Sequence, residues 1–256
     1  MTQDSSGLSG WRVLVTRPRE QIAALADALR ALGAEPIPYP TIELAPPPDW
    51  KSLDAALAGP PPDWIVFTSP SAVRFTTGRA WATGANATAR LWGSHVAAVG
   101  LETARAAAAA GIRVDVTPDL DDQRQEGLAR ALDFLPAGTR VLFPQTVGGR
   151  EHLREALVAR GCVVEVVAVS QTLPVNDLPP LPAFEAATFA SPSALRAFCA
   201  RWGARALDGA VVAVIGPTTA EAARIAGVRV DAMPATPSMA ALAGALADHR
   251  ARRPPR

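Results

Sequence analysis

The sequence has few of the side chains that bind metals or carry redox chemistry. Its 256 residues include only two cysteines and three histidines. His95, His152 and His249 lie far apart, without the spacing of a metal site, so no bound metal is expected. Cys162 and Cys199 each lie in an apolar run, which favours two buried free thiols in a reducing cytosol; a disulfide between them is the alternative.

Several motifs of cofactor-binding and hydrolytic enzymes are also absent. No GxGxxG follows a predicted strand and no GxxxxGK[ST] occurs, so nucleotide binding is not predicted. No GxSxG nucleophile elbow occurs, which excludes the common α/β-hydrolase arrangement. The 25 basic residues balance 24 acidic ones, and the tryptophans do not alternate with a basic run, so a nucleic-acid partner is not expected.

The chain lacks long apolar runs. None approaches the length that a membrane-spanning helix needs. The first ten residues, MTQDSSGLSG, contain neither the basic region nor the apolar region of a secretory signal. We therefore predict a cytoplasmic location without a membrane partner. Residues 1–9 and the basic, proline-rich end, residues 251–256, are predicted to be flexible termini.

A repeated strand–helix–strand pattern is the main feature that the sequence does contain. VAAVGLETARAAAAAGIRVDVTP, residues 96–118, recurs as VAVIGPTTAEAARIAGVRVDAMP, residues 212–234, at an offset of 116. RVLVT recurs as RVLFP at an offset of 128, and IVFTSPSAVRF recurs as ATFASPSALRAF at an offset of 122. Because the three blocks keep the same order, they predict an internal duplication.

The alternation of strands and helices predicts an α/β fold, in which helices flank parallel sheets. The apolar strand WIVFT, residues 64–68, is typical of a sheet that is covered on both faces. Periodicity alone predicts two sequential α/β halves that meet in a cleft.

Six predicted strand-to-helix turns are rich in small polar side chains. Parallel sheets bind ligands beyond the carboxyl ends of their strands, where these turns lie. Unpaired backbone N–H groups at the helix starts, the helix dipole and the hydroxyl groups suit an anionic ligand. Arg17 and Arg150 are candidates for paired hydrogen bonds to a carboxylate. The turns are Thr16–Pro18, Thr68–Ser71, Gly100–Thr103, Gln145–Arg150, Ser191–Ser193 and Gly216–Thr219.

These turns also have a purely structural interpretation. Ser69 and Ser191 each precede a proline, the arrangement of a helix N-cap, and capping alone accounts for either serine. Thr218 and Thr219 are harder to explain as caps, because one cap needs only one hydroxyl. Arg17 is equally well explained as a solvated surface residue.

Four short segments, in the order VLVTRP, FTSPSAV, FASPSAL and VIGPTTAEAA, resemble the uroporphyrinogen-III synthase family, over about residues 12–247. The resemblance implies two similar three-layer α/β domains with parallel sheets, joined by a pair of antiparallel connector strands, with the active site in the interdomain cleft. It replaces the sequential arrangement with discontinuous domains. The implied ranges are 10–38 with 175–250 for one domain, 47–166 for the other, and 39–46 and 167–174 for the connectors.

The same resemblance implies an enzyme, a hydro-lyase that acts on hydroxymethylbilane. Members of this family close the linear tetrapyrrole with loss of water and inversion of its terminal pyrrole ring, in heme, siroheme and cobalamin biosynthesis, without a cofactor. A monomer is expected, and a handover of substrate from hydroxymethylbilane synthase is a possible partner interaction. Because the substrate is an octacarboxylate, it agrees with the anion-binding chemistry of the turns.

By resemblance, the substrate-binding positions are hydroxyl side chains of these turns, with Arg17 as an added candidate. They would hold the acetate and propionate arms while the first and last rings are brought together, a proximity effect. The hydroxyl positions are Thr68, Ser69, Thr103, Ser191, Thr218 and Thr219.

The sequence departs from the family at the tyrosine of the second connector. VVAVSQTLP places Ser170 where the family pattern V-x-x-x-x-Y-x-x-x-P has tyrosine, and the single tyrosine of the chain is Tyr39. Departure of hydroxide needs a proton donor, and a serine hydroxyl is a weaker acid than a phenol. Either the tyrosine is dispensable because the leaving group is reactive, or Tyr39, Ser170 or a water replaces it, or activity is weak or lost. In the last case the chain would be a tetrapyrrole-binding or regulatory module; outside the family, the alternative is a two-domain receptor for small anions.

Overall fold

The computed structural model describes residues 7–252, and they form two compact units. The first unit combines residues 7–43 with residues 173–252, and the second comprises residues 44–172. The chain therefore leaves the first unit and later returns to it. The sequential arrangement that periodicity alone predicts is wrong.

The described residues contain nine strands and ten α-helices, together with two short 3₁₀ helices. The strands are Arg12–Val15 (β1), Glu35–Pro38 (β2), Ile42–Ala45 (β3), Trp64–Phe67 (β4), His95–Ala98 (β5), Arg140–Thr146 (β6), Val163–Pro174 (β7), Ala186–Phe189 (β8) and Val211–Val214 (β9). The α-helices are Ala23–Ala31 (α1), Lys51–Ala58 (α2), Pro70–Thr83 (α3), Ala85–Gly93 (α4), Leu101–Ala109 (α5), Gln125–Ala131 (α6), His152–Ala159 (α7), Pro192–Trp202 (α8), Pro217–Ile225 (α9) and Met239–Ala251 (α10). The 3₁₀ helices are Arg19–Gln21 and Ala204–Leu207.

The first unit is built on four parallel strands in the order β2-β1-β8-β9. Its central strands are apolar on both faces, as expected when helices cover a parallel sheet on both sides. Val13 and Val15 of β1 pack in the layer of α1 and α10, whereas Leu14 packs in the layer of α8 and α9. An isolated parallel bridge between Ala213 and Ala232 extends the sheet beyond β9.

The second unit contains a sheet in the order β3-β7-β6-β4-β5, in which β7, β6, β4 and β5 are parallel. Phe67 of β4 packs in the layer of α2, α3 and α5, and Val66 packs in the layer of α6 and α7. β3 and β7, which carry the chain from one unit to the other, are hydrogen-bonded neighbours. The predicted α/β fold with parallel sheets is confirmed.

The internal duplication explains why both units have the same strand order. By the repeated sequence blocks, β1 corresponds to β6, β8 to β4 and β9 to β5. The orders β2-β1-β8-β9 and β7-β6-β4-β5 then match strand for strand. Each unit thus combines the first strand–helix–strand segment of one repeat with the later strands of the other repeat.

The prediction of flexible ends is wrong for Leu8 and for the last residue of α10. Leu8 is fully buried in the core of the first unit, and its N–H donates to Leu32 O at 2.8 Å. Helix α10 extends to Ala251, which lies inside the predicted tail. The rest of the predicted flexible ends, residues 1–6 and 253–256, lies outside the described residues.

Both cysteines are free thiols, as the sequence predicts. Cys162 is buried and Cys199 is partly buried, and burial raises the pKa of each thiol. The reactive thiolate is therefore disfavoured at both positions. None of the helices in residues 7–252 is long and apolar enough to cross a membrane.

Two carboxylates have contacts in the folded chain that favour their ionised form. Glu185 accepts hydrogen bonds from the Arg12 side chain at 3.2 Å and the Arg12 backbone N–H at 2.7 Å, and they hold the pKa of this carboxyl below its usual value. Burial acts to raise the pKa of Asp115, but the Val96 N–H at 2.9 Å, the charge of Arg113 and the contact with His95 together outweigh it and lower the pKa.

We expect the stabilisation by these groups to be complete above about pH 5 and to be lost progressively below about pH 4. A carboxyl whose folded-state pKa is depressed stabilises the fold above its unfolded pKa, and the contribution disappears as pH falls through the folded-state value. Urea midpoints measured across this range should decline less steeply for Glu185→Gln than for the wild type. Glu102→Gln, at an exposed helix pair, is the control and should keep the wild-type slope. An unchanged slope in Glu185→Gln would exclude the Arg12 contact as a source of acid sensitivity.

Candidate functional site

Three of the candidate turns meet at one edge of the first unit's sheet. β1, β8 and β9 are parallel neighbours, so their carboxyl ends lie side by side. The turn after β1 carries Arg17, the turn after β8 carries Ser191, and the turn after β9 carries Thr218 and Thr219. The sheet therefore brings four predicted site residues to the edge at which such folds bind ligands.

Ser191 and Ser69 are both helix N-caps. The Ser191 Oγ accepts a hydrogen bond from the Ala194 N–H at 3.2 Å at the start of α8. The Ser69 Oγ accepts one from the Ala72 N–H at 3.1 Å at the start of α3. Capping thus accounts for one lone pair of each hydroxyl. The O–H donor of Ser191 makes no other hydrogen bond within the described residues and is available to an anion.

The start of α9, in contrast, has no side-chain cap. Gly216 is the N-cap, and a Cβ built there would meet only Pro237 Cγ, at 3.8 Å. Thr218 is exposed and Thr219 is 2% exposed, and neither hydroxyl bonds to another residue within the described part of the chain. The Thr219 N–H donates to Gly216 O at 3.1 Å, which leaves the Thr218 N–H without a backbone acceptor. Neither threonine caps the helix, and its start offers donors to an anion.

Arg17 is a partly buried cation without a carboxylate partner. Its guanidinium contacts Met239 Sδ and donates to Gln21 Oε1 at 2.8 Å. No Asp or Glu of residues 7–252 lies at ion-pair distance from it. Burial lowers the pKa of Arg17, but a guanidinium is basic enough to stay charged at neutral pH. A charge in this environment is well suited to a ligand carboxylate.

The second unit repeats the arrangement of the first. β6, β4 and β5 are parallel neighbours, and the turns after β4 and β5 bring Thr68, Ser69 and Thr103 to one edge of the sheet. Thr68 is partly exposed, and its hydroxyl makes no hydrogen bond to the other described residues. The Ser69 hydroxyl also shares a hydrogen bond with Ser71 Oγ at 3.0 Å. Arg150, in the turn after β6, is exposed.

Gln123 occupies the start of α5, a contact that the sequence did not predict. Its Oε1 accepts a hydrogen bond from the Leu101 N–H at 3.0 Å, and its Nε2 donates to Leu120 O at 3.3 Å. A Cβ on Gly100 would overlap the Gln123 amide, so the glycine allows this approach. No sequence motif connects residue 123 with the α5 turn, so the sequence alone does not place Gln123 at this helix start.

Hydrogen-bond donors dominate the chemistry of both edges. Hydroxyls, backbone N–H groups and a guanidinium can all donate to an anion. No group of three or more His, Cys, Asp and Glu side chains that could hold a metal ion occurs in residues 7–252. Each edge is thus suited to carboxylates, and Arg17 adds a charge at the edge of the first unit.

A family model matches most of the chain. The model for uroporphyrinogen-III synthase HemD covers residues 23–244. The chain belongs to the uroporphyrinogen-III synthase family. The resemblance that four short sequence segments indicate is therefore confirmed.

Members of the family from other organisms align with most of this chain. A uroporphyrinogen-III synthase from Synechococcus elongatus is 34% identical over 233 residues, which are 83% of this chain and 85% of that protein. A chloroplastic uroporphyrinogen-III synthase from Oryza sativa subsp. japonica is 31% identical over 238 residues, which are 89% of this chain and 76% of that protein.

Solved structures of the family share the fold. Uroporphyrinogen-III synthetase from Helicobacter pylori aligns with a TM-score of 0.60 at 17% identity, over 91% of this chain and 95% of that chain. A mutant uroporphyrinogen III synthase from Thermus thermophilus aligns with a TM-score of 0.57 at 19% identity, over 95% of this chain and 100% of that chain. At these identities the similarity establishes the fold alone.

Ser170, which the family resemblance matches to a tyrosine, is fully buried in β7. Its Oγ hydrogen-bonds with Thr146 Oγ1 at 2.9 Å, and its carbonyl accepts the Val147 N–H at 2.8 Å. Both contacts hold the turn after β6 against β7. A buried hydroxyl with this partner has a structural role, so the geometry disfavours Ser170 as a proton donor to a substrate.

Tyr39, the second candidate for replacing the family tyrosine, is also engaged within the fold. It is 1% exposed, and its hydroxyl donates to Pro179 O at 2.8 Å. Burial raises the pKa of the phenol, an effect that Trp202 and Arg201 partly offset. Neither Ser170 nor Tyr39 therefore presents an exposed acidic hydroxyl.

Ser170→Ala should lower stability and leave kcat unchanged. The variant removes the partner of Thr146 Oγ1, and the lost hydrogen bond should reduce the free energy of unfolding by about 1 kcal/mol. Single-turnover kinetics together with urea unfolding separate the two effects. A fall in kcat of roughly 100-fold or more would instead identify Ser170 as the proton donor.

Proposed function

We propose that this chain is a uroporphyrinogen-III synthase, a hydro-lyase that closes hydroxymethylbilane with loss of water and inversion of the terminal pyrrole ring. Membership of the family over residues 23–244 supports the reaction. The observation that carries the proposal within the site is the uncapped start of α9, where the Thr218 hydroxyl and N–H have no partner in the described residues. The product would serve the biosynthesis of heme, siroheme and cobalamin.

The proposed binding residues are the donors at the two sheet edges. Each edge would hold acetate or propionate arms of the tetrapyrrole, and Arg17 would form a charge-assisted contact at the edge of the first unit. The residues are Arg17, Ser191, Thr218 and Thr219 in the first unit, and Thr68, Ser69 and Thr103 in the second.

Positioning would supply most of the catalysis. Closing the macrocycle requires the first and last rings to meet, and holding them together converts an improbable encounter into a favourable one. Ser170 and Tyr39 are both buried and hydrogen-bonded, which supports a reaction that depends on the reactivity of the bilane's own leaving group. A solvent water would then take the place of a side-chain proton donor.

The isomer distribution tests this proposal. Purified protein supplied with freshly formed hydroxymethylbilane should yield the type III isomer of uroporphyrinogen. Spontaneous closure gives the type I isomer, so a reaction without protein is the control. Accumulation of type I alone would contradict the proposed activity.

The alternative is a family member that binds tetrapyrrole without controlling the isomer. Replacement of the family tyrosine by the buried Ser170 favours this alternative. Such a protein would bind uroporphyrin in a fluorescence titration and would leave the type I to type III ratio at its spontaneous value. The two measurements together separate an enzyme from a binding or regulatory module.

Three further expectations belong to the same proposal. They are a monomeric state, a cytoplasmic location and handover of substrate from hydroxymethylbilane synthase. Size-exclusion chromatography with light scattering tests the first. The rate of product formation with both enzymes together tests the handover. We expect a rate faster than free diffusion of the intermediate between the enzymes allows.

A further inference from the structure

The Gln123 side chain already fills the start of α5 with a hydrogen-bond acceptor. Its Oε1 accepts the Leu101 N–H at 3.0 Å, which is the kind of bond that a ligand carboxylate makes at a helix start. Gly100 leaves the space for it, since a Cβ at this position would overlap the amide. The contact joins residues that are 22 positions apart in the chain and lies outside regular secondary structure on the Gln123 side.

The corresponding turn of the duplicated sequence has no such occupant. Gly216 matches Gly100 at the offset of 116, and α9 matches α5. At Gly216 a built Cβ meets only Pro237 Cγ, at 3.8 Å, so the start of α9 is open. The two equivalent helix starts therefore differ: a protein amide accepts the Leu101 N–H at α5, whereas α9 begins with Pro217, which has no N–H, and no side chain fills its start.

Thr103 is the second observation at the start of α5. It is 2% exposed, and its hydroxyl makes no hydrogen bond within the described residues. A nearly buried polar group without a protein partner is unusual and points to a ligand or solvent at this position.

Displacing Gln123 requires little reorganisation. The side chain is exposed, and its other contact is one weak hydrogen bond to Leu120 O at 3.3 Å in the same loop. Glu102 lies in the same first turn, but its carboxylate is paired with Arg105 at 2.7 Å, which reduces its repulsion of a second carboxylate. The Leu101 N–H is thus available to any stronger acceptor that reaches it.

We propose that Gln123 is a latch: its amide occupies the position at which a tetrapyrrole carboxylate binds to the start of α5, and the substrate displaces it. The proposal rests on the proposed function, because it assigns Thr103 and the Leu101 N–H to the substrate site. Gln123 is then a residue that sets substrate affinity by competition rather than by contact. It would weaken binding in the wild type.

Two substitutions at position 123 should change affinity in opposite directions. Gln123→Ala removes the competing acceptor, so the Kd for uroporphyrin III should fall about 3- to 10-fold. Gln123→Glu keeps the shape of the side chain and adds a negative charge, which the helix start favours. Because this charge also repels the carboxylates of the ligand, the Kd should rise about 3- to 10-fold. Fluorescence titration with uroporphyrin III measures both without the need for catalysis.

Gln125→Ala is the matched control. Gln125 lies two positions away in the chain, and its Oε1 accepts the Leu153 N–H at 3.3 Å near the start of α7. Loss of an acceptor at a helix start should lower the Tm of both alanine variants by about 2–4 °C. Only Gln123→Ala should tighten uroporphyrin binding.

An unchanged or higher Kd in Gln123→Ala overturns the latch, as does an equal gain of affinity in Gln125→Ala. Absence of uroporphyrin binding by the wild type also overturns it. If the predicted Kd changes occur but the wild type forms only the type I isomer, the latch stands and the proposed catalytic function fails. If type III forms and both position-123 variants bind like the wild type, the function stands and the latch fails.

Discussion

Thr218→Val should raise the KM for hydroxymethylbilane roughly 10- to 100-fold and leave stability nearly unchanged. Valine keeps the β-branched shape and removes only the hydroxyl. A hydrogen bond to a charged group contributes about 1.5–3 kcal/mol, and this hydroxyl is the exposed donor at the open start of α9. Because it makes no hydrogen bond within the described residues, its removal breaks no contact of the folded chain. Initial rates of type III formation give KM, and urea unfolding gives the stability.

Thr83→Val is the matched control for this experiment. Thr83 is also an exposed threonine, but it lies at the end of α3 and its hydroxyl donates to Arg79 O at 2.9 Å. Its KM should equal that of the wild type. Adding Thr219→Val to Thr218→Val should increase the effect, since Thr219 lies next to it and is also unpaired within the described residues. A wild-type KM in the double variant would show that neither threonine binds the substrate.

The sequence predicts the fold class because parallel sheets impose a simple pattern. Strands such as β4 and β9 are short, fully apolar and followed at once by turn and cap residues, and both are buried at all four positions. The pairing of strands that are distant in the chain produces no such local sequence pattern. The periodic pattern predicts two similar halves that follow one another along the chain. In the structure, however, β1 pairs with β8, more than 170 positions away. Only the family resemblance indicates the discontinuous units.

The sequence predicts which residues lie in the strand-to-helix turns of the candidate site, but it does not predict their hydrogen-bond partners. The sequence predicts which hydroxyl residues follow strands, and the structure places them at neighbouring carboxyl ends, because the carboxyl ends of parallel neighbours must lie together. Whether a hydroxyl caps its helix depends on one or two backbone atoms: Ser191 does so, and Thr218 does not. The roles of Gln123 and Ser170 depend on partners in other elements, Leu101 and Thr146, and no periodic pattern encodes these pairs.

Arg17→Leu should raise the KM for hydroxymethylbilane roughly 100-fold while keeping or increasing stability. Burial without a carboxylate partner in the described residues disfavours a charged side chain and lowers the pKa of Arg17, so an apolar side chain of smaller size should be tolerated. The same charge should form the strongest contact to a substrate carboxylate. The variant should therefore change KM without lowering stability. If the arginine had a structural role, its replacement would lower stability.

Arg17→Lys and Arg224→Leu complete this test. Lysine keeps the charge but cannot form the paired contact of a guanidinium, so its KM should lie between those of the wild type and Arg17→Leu. Arg224, on α9 of the same unit, is exposed and already paired with Glu221 at 2.7 Å, so its replacement should leave KM unchanged. A loss of stability in Arg17→Leu with a wild-type KM would show that this arginine serves the fold through Gln21 and Met239 rather than the substrate.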